Sequence, residues 1–144
     1  MMRIVVAAAL AALVATAGCA GKKGFEREGF AFGCPIGDNG IESMEQLIDA
    51  KVAQEGKRTN VVVTEMRCTM SGDRMKIEAN LENDANAVRR VAYKFRWIDA
   101  EGMRAADEEA WKPVLMYEKS NHLVTAIAPS NEAVDFRLVF MGQD

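Results

Sequence analysis

Three cysteines, one histidine and a run of three acids hold most of the chemistry that this 144-residue chain could offer. Zinc needs several convergent nitrogen or sulfur ligands. His122 stands alone, and the cysteines at 19, 34 and 68 form no Cys-x-x-Cys pair, so neither a metal site nor a redox dithiol is indicated. Nucleophilic catalysis requires a base oriented beside Ser, Cys or Thr. No G-x-S-x-G occurs, and His122 follows Ser120-Asn121 as an exposed turn residue would. Paired carboxylates do acid–base work, but Asp107-Glu108-Glu109 reads first as a solvated run on a loop. The glycines at 21, 24, 29, 33, 37 and 40 lack phosphate-loop spacing. The expectation is a chain with no catalytic residues, no metal and no cofactor.

Cys19 carries different chemistry. Arg3 opens a short positive start, Ile4 to Val14 form an apolar run, and Thr16-Ala17-Gly18 are small residues before Cys19. This is the layout of a bacterial secretory signal over residues 1–18 ending in a lipobox, with Thr16 where Leu is usual. The run is shorter than the ~20 residues a spanning helix needs. Cleavage before Cys19 and acylation of that residue would leave a soluble domain on a lipid anchor. The alternative is an ordinary secreted protein cut near Gly18 or Ala20. Two or three acyl chains anchor durably where one is marginal. Ala20, a non-acidic residue after the cysteine, points to the periplasmic face of the outer membrane.

An oxidising envelope favours pairing of the two remaining cysteines. A Cys34–Cys68 disulfide would contribute about 3–4 kcal/mol in the chain-entropy model. The alternative is two separate thiols, with Cys68 buried between Met66 and Met70. Without residues 1–18 the chain carries 17 basic groups (18 less Arg3) and 21 acidic ones. That mild acidic balance offers no broad footprint for nucleic acid.

The elements that must position these residues follow from periodicity. Residues 19–40 read as the lipidated N-terminus and a Gly-rich tether, in which Phe25, Phe30 and Phe32 are out of character for a pure spacer. Lys22 and Lys23 read as solvated lysines near the anchor. One domain occupies 41–144 and begins with a helix near 43–55. Ser43 is its N-cap, Gln46 completes a capping box, Met44, Leu47, Ile48 and Val52 form the apolar stripe, and Gly56 ends it. From Val61 the period becomes two. Strands are expected over 61–70, around Met75 to Leu81, over 91–97, and over 111–118, 123–128 and 134–140. Ser71-Gly72-Asp73, Asn83 to Ala87 and Asp99 to Gly102 supply turns. Val134, Phe136, Leu138 and Phe140 share one face, and Met66, Met70 and Met75 fall at inward registers. The fold class is mostly β: an immunoglobulin-like antiparallel β-sandwich with one N-terminal helix. A single curled sheet packed on the helix is the alternative.

Tyr93, Phe95 and Trp97 alternate along a strand that ends in the Asp99-x-x-Gly102 turn. Trp111-x-Pro113 and Ala128-Pro129 follow, then Asp135 to Leu138. On this joint spacing the chain resembles the YcfL-like family of small Gram-negative envelope lipoproteins over about residues 61–140. The resemblance implies a lipobox joined to an immunoglobulin-type sandwich. It supplies no catalytic or ligand residues.

The candidate interaction surface is a basic stripe. Arg90, Lys94 and Arg96 face away from the aromatic side of their strand, with Arg67 and Arg137 on the polar faces of theirs. Those cations could meet acidic partners, or instead pair across strands with Glu65, Glu78 and Asp135. Trp97 reads as core, and Trp111 as an exposed contact beside the edge residue Pro113. The expected function is that of a noncatalytic, outer-membrane-anchored periplasmic lipoprotein that docks an envelope protein. A small-ligand or glycan-binding lipoprotein is the alternative.

Overall fold

A computed structural model of the chain describes residues 28–144. The signal stretch, Cys19, Lys22, Lys23 and Phe25 lie outside the described residues. Among the described residues, nine strands and one helix follow in the order β1 (Phe30–Ala31), β2 (Cys34–Pro35), α1 (Met44–Lys51), β3 (Val52–Gln54), β4 (Val61–Ser71), β5 (Arg74–Asn83), β6 (Arg89–Ile98), β7 (Lys112–Met116), β8 (Ser120–Ile127) and β9 (Asp135–Gly142). One sheet has the order β3-β9-β6-β7 and the facing one β4-β5-β8. The architecture is the expected sandwich of immunoglobulin type. One pairing departs from antiparallel, since β3 runs parallel to β9.

Period-two patterning drives this arrangement. Met75, Ile77, Ala79 and Leu81 of β5 are buried, while the residues between them are only partly covered. Ser71 pairs with Arg74, leaving a two-residue loop with Gly72 at φ +63°, a value glycine adopts without strain. β4 carries a bulge between Val63 and Glu65. The extra residue moves the inward positions from Val61 and Val63 to Met66 and Cys68. Across the sandwich, Phe95 stacks on Trp97 at 5.6 Å between ring centroids, and Phe136 packs on both. Such ring pairs contribute about 0.5–1.5 kcal/mol beyond their buried area.

Helix α1 starts where Ser43 caps it, its side chain accepting the Gln46 N–H at 3.2 Å. Gln46 returns a bond one residue earlier than a capping box would, to the Glu42 N–H. The helix ends at Lys51, about a turn before the expected stop, because Val52–Gln54 joins the sheet beside β9. Val52 thus belongs to a strand and not to the helical stripe, and Gly56 comes after β3. Lys51 takes the stripe's last inward position. It is 3% exposed, and its Nζ donates to Asp135 Oδ1 at 2.6 Å.

The tether reading fails for residues 28–40. This stretch packs on the domain, with Ala31, Cys34 and Ile36 in the core. Its hairpin turns through Phe32 and Gly33, both at positive φ, as a mirror-image two-residue turn requires. A Cβ on Gly33 would lie 2.0 Å from the Cys68 carbonyl oxygen, so only glycine fits against β4 there. The hairpin is tied to β4 twice. Cys68 N–H donates to the Phe32 carbonyl at 3.1 Å, and Cys34 and Cys68 form a disulfide. The separate-thiol alternative is thereby removed.

Candidate interaction surface

The basic stripe is placed on β6 as the alternation requires, but the charges of Lys94 and Arg96 are engaged within the chain. After Ile98 the polypeptide turns through Asp99, whose carboxylate accepts the N–H groups of Glu101 and Met103. Gly102 sits at φ +80° in this turn. The following segment, 104–111, then runs back over β6. Ala105 N–H bonds the Trp97 carbonyl, and Ile98 bridges to Arg104. Glu109 accepts the Phe95 backbone N–H at 3.0 Å with one oxygen and the Trp97 indole N–H at 3.1 Å with the other. Glu108 binds Lys94, which is 6% exposed and holds its Nζ 4.4 Å from the Trp111 ring centroid.

Asp107-Glu108-Glu109 is therefore more than a solvated run: Asp107 and Glu108 are exposed, but Glu108 holds Lys94 and Glu109 caps the edge of β6. Trp111 is half-covered by the same cation and is not the open contact expected from its place beside Pro113. Arg96 makes two bonds to Glu55, at 2.6 and 3.1 Å, and a longer one to Glu108. In register it faces Arg137 directly. Opposed like charges are unfavourable, and the surrounding Glu55, Glu108 and Asp135 offset them. Arg90 offers its backbone N–H to Asp144, and Arg67 pairs with Glu65 on its own strand. Lys94 and Arg96 thus belong to an ion-pair network within the chain, while the Arg90 side chain and the Arg67–Glu65 pair stay at the surface.

Lys94, and then Arg96, hold the Glu108 carboxyl below its ordinary value of 4.5. A depressed carboxyl contributes stability that is complete above the unfolded value and is lost as pH falls through the lowered one. Acid should therefore loosen the 104–111 segment. We predict that Glu108→Gln flattens the loss of thermal stability below pH 4.5, measured beside the parent chain. An identical pH profile would show that this pairing has no part in it.

Asn83 is another residue that the turn reading undervalued. It is fully buried, and its amide donates to the carbonyls of Ala87, Met116 and Tyr117 while its oxygen accepts the Ala85 N–H. His122 is exposed and lies in β8 opposite Leu81. Among the described residues, no group of three His, Cys, Asp or Glu side chains is placed to hold a metal ion.

A more accessible feature lies beside α1. β3 and β4 are the edge strands of their respective sheets, and α1 lies beside both. Between them runs a cleft of about 660 Å³. Ile48, Val52, Val61, Val63 and Phe140 contribute apolar lining, and Glu45 and Asp49 add two carboxylates one helical turn apart. Among the described residues, no Lys or Arg lines it. Farther along β4, Met44 sulfur and the Phe32 carbonyl already meet the Met66 and Cys68 N–H groups. The cleft flanks the earlier stretch, where Val62 is 48% exposed. An edge strand beside an apolar trough can accept a further strand through main-chain bonds.

Comparison with known proteins agrees with the fold. A family model described as "Protein of unknown function (DUF1425)" matches residues 45–141. A crystal structure of Campylobacter jejuni cj0090 superposes with a TM-score of 0.55 at 19% identity, covering 65% of this chain and 98% of that one. A crystal structure of a DUF1425 family member from Shewanella sp. PV-4 gives 0.52 at 26% identity, covering 56% and 75%. No curated protein matches the sequence.

Proposed function

We propose a function from one premise: the chain belongs to the DUF1425 family of unknown function, whose model it matches over residues 45–141. Within that family we read it as YcfL-like, a noncatalytic lipoprotein anchored through acylated Cys19 at the periplasmic face of the outer membrane. Its sandwich serves as a docking module for another envelope protein. The signal and lipobox pattern support the location, and the Cys34–Cys68 disulfide suits an oxidising compartment.

The observation that carries the docking reading is the cleft between α1 and the two edge strands. Its lining combines apolar side chains with Glu45 and Asp49, so it suits an extended segment carrying apolar and basic residues. Such a segment would lie along β4 near Val62.

A photoreactive residue at Val62, in cells producing the full chain, tests this. We expect a discrete crosslinked species from Val62 and none from Thr125, which is exposed on the same outer face but two strands away from the cleft. Peptide mapping should place the adduct on a Lys- or Arg-containing segment. Glu45→Lys with Asp49→Lys should abolish it. Equal crosslinking from both positions, or indifference to the charge reversal, would overturn the cleft as the seat.

A further inference from the structure

We propose that the end of the sandwich bearing Met70 and Val134 rests against the lipid leaflet to which the chain is anchored. This rests on the reading of Cys19 as the acylated residue. Inward positions along β4 run Met66, Cys68, Met70. The first two are buried, but Met70, level with Met75 at the hairpin tip, is 62% exposed. Val134, just before β9, is 45% exposed. Both line an apolar hollow of about 590 Å³ with Phe30, Pro35, Met75 and Ala133.

The hollow lies where the N-terminal hairpin is stapled to β4. The disulfide and the close approach of Gly33 to Cys68 fix that hairpin at this end. Residues 19–27 must therefore lead from the lipid to this end of the domain. Nine residues reach at most about 30 Å. The ten-residue β5 places the opposite end, where Tyr117 meets Asn83, roughly 30 Å farther away. The anchor thus holds the hollow at high effective concentration beside the bilayer. Weak apolar contacts then suffice to orient the domain. Methionine, flexible and polarisable, suits a fluid acyl surface. Asp73 on the rim adds no attraction to an anionic leaflet, so the contact draws on apolar burial and should survive high salt.

The test uses the acylated full chain in vesicles of phosphatidylethanolamine and phosphatidylglycerol doped with a dibrominated phospholipid, which quenches nearby indoles. Met70→Trp and, independently, Val134→Trp should each lose most of the added emission. Tyr117→Trp, at the far end, should keep it, and high salt should change neither result. Trp97 and Trp111 are common to all three variants and cancel in the comparison. If the chain floats with the vesicles but neither end is quenched, or both are quenched alike, end-on contact is overturned while the anchor stands. A chain that fails to float overturns both.

Discussion

Replacing Cys34 and Cys68 together by Ala should lower unfolding stability by about 3–4 kcal/mol, the chain-entropy value for a closed loop of this length. The bridge spans a sequence separation of 34 and fastens a hairpin of two-residue strands to β4, beside the Cys68–Phe32 backbone bond and the burial of Ala31 and Ile36. For a domain of this size the change corresponds to a fall of roughly 10–20 °C in melting temperature. Chemical reduction of the parent chain should give a matching loss. The hairpin should detach before the sandwich melts, exposing Ala31 and Ile36 to hydrogen exchange. A loss under about 1 kcal/mol would mean that apolar packing alone seats the hairpin, against the expectation from loop closure.

The second large effect concerns Lys51. Burial pushes its ammonium below the ordinary value of 10.5, and the bond to Asp135 works in the opposite direction. Removing one partner of a buried pair strands the other's charge and costs about 3–5 kcal/mol, whereas removing both is far milder. Asp135→Ala should therefore be strongly destabilising, and Lys51→Met in that background should recover most of the loss. Lys51→Met alone should be tolerated, because Asp135 keeps Arg137 and the Phe136 N–H as partners. Denaturant unfolding of the four chains closes the cycle. Additive single effects would show that the two groups act independently in the native state.

These two sites also show what the sequence makes legible. The disulfide could be anticipated because the signal pattern implies an oxidising compartment and cysteine parity leaves few choices. The strands could be read because each hairpin is local and its period is two, as in Met75 to Leu81. The Ser43 cap is local too. Lys51 escaped because a search for apolar residues at helical spacing passes over a charged residue, even though position 51 completes the face begun by Met44, Leu47 and Ile48. Met70 has the inward register that the alternation predicts. Its exposure depends on where the opposite layer ends, which alternation does not encode.

The candidate surface misled for a related reason. Arg90, Lys94 and Arg96 do point away from the aromatic core. Whether the Lys94 and Arg96 charges stay free depends on Glu55, which lies 41 residues before Arg96, and on a loop carrying Glu108 back over the strand. No local pattern announces either contact. The cleft was equally hidden. Glu45 and Asp49 are ordinary exposed helix residues until β3 and β4 end their sheets on the same side of the molecule. The parallel pairing of β3 with β9 that builds this side joins segments more than eighty residues apart, and three strand residues carry no usable period.

Intact-mass analysis of the protein extracted from cell membranes tests the lipid-anchored docking module most directly. The predicted result is a chain beginning at Cys19, heavier by two or three acyl groups and lighter by the two hydrogens of the Cys34–Cys68 bridge. A full-length, unacylated chain beginning at Met1 with reduced thiols would contradict it.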